Sequence, residues 1–130
     1  MNACLALRFS EYIDKRFEFG ERVGELQDSR KEPQIPTDTI FLSGFFSLAF
    51  RCRSLHNAEP LFRIPGRLDP LIGERKPSMD RIGDVFALIP PESVRSILTG
   101  CVHRLGRTKA LPTPWRTRWG VVDGHEFFSR

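Results

Sequence analysis

Asp123, His125 and Glu126 lie close together in "RWGVVDGHEFFSR", residues 118–130. A short apolar run that delivers a carboxylate is how many metal-dependent enzymes begin their active site, because carboxylate oxygens suit hard divalent cations. In a strand, Trp119, Val121, Asp123, His125 and Phe127 share one face, while Val122, Gly124, Glu126 and Phe128 share the other. Asp123 and Glu126 therefore converge on one ion only if Gly124 forms a bulge. The dipeptide Asp123-Gly124 is also a common turn, so a catalytic strand and an ordinary terminal turn both remain open on the residues alone.

A second set of residues points to phosphate. From Ser93 to Val122 the chain carries Arg95, Arg104, Arg107, Lys109, Arg116 and Arg118 and no acid. Clustered positive charge is the electrostatic footprint expected of a polyanion partner. Arg104, Arg107, Lys109, Arg116 and Arg118 are the candidate phosphate contacts, with Trp115 and Trp119 among them to stack or to anchor a connector. A solvated helix face followed by a basic linker would give the same charge pattern. From Ser10 to Glu32 the balance reverses, with seven acids against five bases.

Other chemistries find little support. Cys52 and His56 are four apart and Cys101 and His103 two apart, with no second pair at the spacing of a zinc finger. Tyr12, the single tyrosine, lies on an amphipathic stretch and reads as a packing residue rather than a nucleophile. There is no glycine-rich phosphate loop and no assignable serine–histidine–acid arrangement. Three widely spaced cysteines make no disulfide framework and fit a reduced, cytoplasmic setting. The start, "MNACLALRF", lacks the basic region of a signal peptide. The longest apolar stretch, Ile40 to Phe50, is about half of a membrane span, so no membrane partner is expected.

These residues need elements to hold them. Phe9, Ile13 and Phe17, then Phe19, Val23 and Leu26, predict an amphipathic helix over about 10–27 with Ser10 as its cap. "QDSRKEPQIP" reads as a linker. Thr37 or Asp38 caps a second helix running to about His56, apolar over most of its circumference and therefore the centre of the core. The proline-rich stretch "AEPLFRIPGRLDPLIGERKP" is expected to be loop with one helical turn. Ser78 caps a third helix with Ile82, Val85, Phe86 and Ile89 on one stripe, and Pro91 or Pro90, with Glu92 in the first turn, opens a fourth. Val94, Ile97, Leu98, Cys101, Val102 and Leu105 are assigned to the inner face of that last helix. Residues 1–110 thus form a mainly α domain of about four helices, 111–117 a linker, and 118–130 one β-strand.

In this order, "IFLSGFFSLAFRCRSLHNAE", "KPSMDRIGDVFALIPPESVRSIL", "RTKAL" and "VVDGHEFFSR" resemble the front of insertion-sequence transposases of the DDE type, over about residues 36–130. The resemblance implies a helical N-terminal region before a catalytic domain of ribonuclease-H-like α/β fold. It implies that Asp123 is the first carboxylate of the catalytic triad and a ligand of Mg²⁺. His125 and Glu126 match the flanks of that motif and are not assigned as ligands. The implied partner is DNA at the transposon ends, with a second transposase polypeptide or another copy of the chain as further partners.

That family carries a second aspartate and a glutamate further along, which this sequence does not contain. Two-metal phosphoryl transfer holds its ions about 3.5–4 Å apart, and one aspartate on an unsupported strand cannot fix both. The expectation is therefore a truncated transposase front part that binds no tightly held Mg²⁺ and does not cut DNA alone. A decayed gene, a frameshifted frame or a piece completed by a second polypeptide would each account for it. The alternative is a stand-alone helical module that binds DNA or inhibits an intact transposase by oligomerising with it.

Overall fold

The computed structural model describes residues 3–64 and 68–108, and every regular element among them is a helix. In chain order these are α1 Ala3–Phe17, α2 Phe19–Gly24, α3 Thr37–Ala49, α4 Leu55–Arg63, α5 Asp69–Ile72, α6 Met79–Phe86 and α7 Pro91–Arg107. The mainly helical character is as the sequence indicates, but seven helices stand among these residues where about four were expected. The linker at 111–117 and the strand at 118–130 lie outside the described residues.

The α3 helix is the hub. Ile40, Phe41, Gly44 and Phe46 are buried, and α2, α4, α5 and α6 all pack against it. Such a helix cannot leave its polar side chains unpaired. Ser43 and Ser47, both buried, donate their hydroxyls back to the carbonyls of Thr39 and Ser43 at 2.7 and 2.8 Å. Gly44 lies beneath the Phe86 ring of α6, and a Cβ there would collide with that ring. The missing side chain is what lets α3 and α6 approach.

Two expected helices divide. The single helix over 10–27 begins earlier, at Ala3, and breaks at Glu18, which sits in the left-handed region at φ 54°, ψ 41°. No glycine or proline announces the break. The apolar register does, because Phe17 and Phe19 cannot both continue one stripe of period 3.6. Asp14 secures the joint, with its carbonyl accepting from Glu18 N and its Oδ1 from Gly20 N, each at 2.8 Å.

The second helix stops at Ala49 rather than near His56. Arg51 takes φ 56°, Arg51 N donates to Leu48 O at 2.9 Å and Cys52 N to Ser47 O at 3.0 Å. This is a Schellman ending with an arginine in the place glycine usually holds. Ser54 then accepts from Asn57 N at 3.2 Å and starts α4, where mostly loop was expected. Ser78 caps α6 as assigned, accepting from Arg81 N at 3.3 Å.

The stretch expected to be a linker is tied down by one carboxylate. Asp28 accepts from Arg30 N, Nε and Nη2 and from Thr37 Oγ1, all at 2.7–2.9 Å, so it fastens the loop to the first residue of α3. The side chain of Asp28 is only 1% exposed. The Arg30 guanidinium, aided by the Arg30 backbone and Thr37 bonds, holds its carboxyl down at about 2 against an ordinary 3.8, overcoming the opposing effect of burial.

The α7 helix packs on α1 and α2. Ile97 is its buried residue and Cys101 is half-buried, but Val94, Leu98 and Val102 are exposed, the last two at 64% and 53%. The inner face expected from the sequence was therefore too wide, because one flank of that apolar stripe meets no other described element. Among the described residues no single helix is long and apolar enough to cross a membrane.

Candidate nucleic-acid interface

Of the five basic residues expected to contact phosphate, the described structure places two, Arg104 and Arg107, both in the last turn of α7. Lys109, Arg116 and Arg118 lie outside the described residues. So do Asp123, His125 and Glu126.

The two arginines differ in kind. Arg104 Nη1 bonds Glu18 Oε1 at 2.5 Å, and its side chain is only 28% exposed. Its charge is spent on the left-handed joint between α1 and α2. Glu18 also faces Arg22, whose Nη2 stands 3.7 Å from Glu18 Oε2. Arg22 Nε donates to Phe17 O at 2.9 Å, and the guanidinium lies against Gly100 of α7, where a Cβ would overlap it. A glycine in mid-helix costs about 1 kcal/mol relative to alanine. Here the gap it leaves admits an arginine that satisfies the end of the neighbouring helix. Arg107 is exposed and has no ion-pair partner among the described residues. It remains available to a phosphate.

Beside them opens a cavity of about 140 Å³ lined by Tyr12, Arg16, Phe17, Arg104, Leu105 and Thr108. Arg16 stands 6.0 Å from the centre of the exposed Tyr12 ring, within cation–π range. The hollow thus joins an aromatic edge to two guanidinium groups from different helices. Arg16 and Tyr12 were not among the basic contacts expected from the sequence. Their position follows only from α1 lying against the end of α7.

Among the described residues no three His, Cys, Asp or Glu side chains come together as a metal site would need. Asp123, the expected Mg²⁺ ligand, lies outside them. Cys52 and Cys101 are free, half-buried thiols. No known protein family, curated protein or solved structure matches the chain.

Proposed function

We propose that the chain is the N-terminal, DNA-contacting part of a DDE-type transposase and does not break or join DNA strands by itself. The observation that carries this reading is the run of motifs from "IFLSGFFSLAF" to "VVDGHEFFSR", in which Asp123 follows a basic stretch. The helical body of residues 3–108 is compatible with it, as is the exposed Arg107 at the end of α7. Phosphate contacts in this reading come from Arg107, Arg16, Lys109, Arg116 and Arg118, while Arg104 positions the helices that carry them. In this reading Asp123 would be the first carboxylate of the catalytic centre.

Titrating the purified chain with a duplex at two salt concentrations tests the contact. Affinity must fall steeply as salt rises, because each neutralised phosphate releases counterions. Salt-independent affinity would refute it. Strand cleavage with Mg²⁺ by the chain alone, abolished in Asp123→Ala, would refute the claim of inactivity.

A second reading rests on a separate observation. The exposed row Val94, Leu98 and Val102 on α7 suits a partner helix. It favours a stand-alone module that associates with an intact transposase or with another copy and inhibits it. Monomeric sedimentation at all accessible concentrations, with no binding to an intact transposase, would exclude this version.

A further inference from the structure

We infer that Lys31 and Arg81, with Arg30 behind them, form a second phosphate-contacting site, built from the loop before α3 and the first turn of α6. The inference rests on the DNA-contact reading for its ligand but on different residues for its geometry. Arg30, Lys31, Pro33, Gln34, Ile35 and Arg81 line one hollow of about 470 Å³. Fifty positions separate Lys31 from Arg81, so only the fold brings these cations to one place.

Several features make the hollow a site for an anion rather than a chance gathering. No acid lines it. Glu32 and Asp80, the sequence neighbours of Lys31 and Arg81, are absent from its wall, and Glu32 is held at φ 47° where the chain turns between Lys31 and Pro33. Asp28, the carboxylate paired with Arg30, has its side chain almost wholly covered and bonded by Arg30 and Thr37. That network fixes the Arg30 guanidinium, whose Nη2 also donates to Ile35 O at 3.2 Å. Lys31 and Arg81 have no ion-pair partner among the described residues. Arg81 stands in the first turn of α6, whose N-terminal dipole adds to the positive potential there, although Asp80 in the same turn offsets part of it. Gln34 adds an amide that can donate to the same oxygens.

The ligand chemistry is a phosphodiester oxygen of duplex DNA. A point-charge lysine and a forked arginine lining one hollow suit oxygens of one backbone. Contacts to phosphate add affinity and orientation rather than sequence choice.

Two arms test it on the full chain. In the first, Lys31→Ala/Arg81→Ala is compared with wild type in duplex titrations across a range of salt. The slope of log K against log salt should flatten by about 0.9 for each lost contact, roughly 1.8 together, with unchanged helical content. In the second, tripolyphosphate is titrated into labelled protein and amide shifts are followed. Residues 30–35 and 80–82 should move in wild type and stay still in the double variant. Duplex binding with an unaltered slope in the variant overturns the site and leaves the DNA reading standing. Failure of wild type to bind duplex, with tripolyphosphate still shifting Lys31 and Arg81, overturns the DNA reading and keeps the phosphate site. No shift at these residues with tripolyphosphate, and no change in slope, removes the site altogether.

Discussion

Arg104 of α7 bonds Glu18 at 2.5 Å, and Glu18 occupies the left-handed position that separates α1 from α2. Glu18 thus parts two helices through its backbone and secures a third through its carboxylate. Arg104→Ala should cost about 1 kcal/mol of stability, near the upper limit for a partly exposed pair. Arg107→Ala should change stability by less than about 0.5 kcal/mol yet weaken duplex binding and flatten its salt dependence. Urea denaturation and DNA titration of both variants separate the two roles. Equal effects of the two substitutions on both measurements would show that they were wrongly assigned.

Asp28 gives a prediction in pH. Its carboxyl is depressed to about 2 from 3.8 in the folded chain, so the unfolded chain takes up the proton first as pH falls. The stabilisation is complete above the unfolded value and is lost as pH drops through about 2. The shift corresponds to about 2 kcal/mol. Asp28→Asn should lower stability by about 1–2 kcal/mol at pH 7, and the gap to wild type should close as pH approaches 2. Chemical denaturation at several pH values checks this, and a gap of constant size would contradict it.

Gly44→Ala reverses the usual helix rule. Propensity alone would give a gain of about 1 kcal/mol. The new methyl group meets the Phe86 ring, and overpacking of that kind costs about 1–3 kcal/mol. Denaturant midpoints should show net destabilisation, relieved when Phe86→Leu is added. Stabilisation by Gly44→Ala alone would mean that α3 and α6 are further apart than described.

Arg51→Gly should stabilise. A residue with a Cβ pays about 1–2 kcal/mol in the left-handed region, and glycine does not. Part of that gain is offset by glycine's freedom in the unfolded chain, leaving about 0.5–1 kcal/mol. A denaturant midpoint at or below wild type would argue against the left-handed ending of α3.

What the sequence made legible follows from how local each signal is. Ser78 as a cap, Pro91 opening α7 and the all-round apolar α3 depend on a few neighbouring residues and could be read directly. The break at Glu18 and the ending at Arg51 rest on left-handed residues of types that do not advertise them. The α4 helix was obscured by Pro60 within it, although Ser54 stood at its start. For the candidate interface, local charge density singled out Arg104 and Arg107 alike. Only the packing of α7 on α1 and α2 shows that Arg104 is answered by Glu18. Lys31 and Arg81 left no trace of their meeting in the sequence, because nothing local relates them.

The position of α7 has one more consequence. Among the described elements, α3 is enclosed by α2, α4, α5 and α6, whereas α7 rests on α1 and α2, through Ile97, Arg104 and the Arg22–Gly100 fit. The last helix can therefore detach at lower free energy than the hub can open. A load on its basic tip would therefore reach the seam with α1 and α2 before it reached the hub.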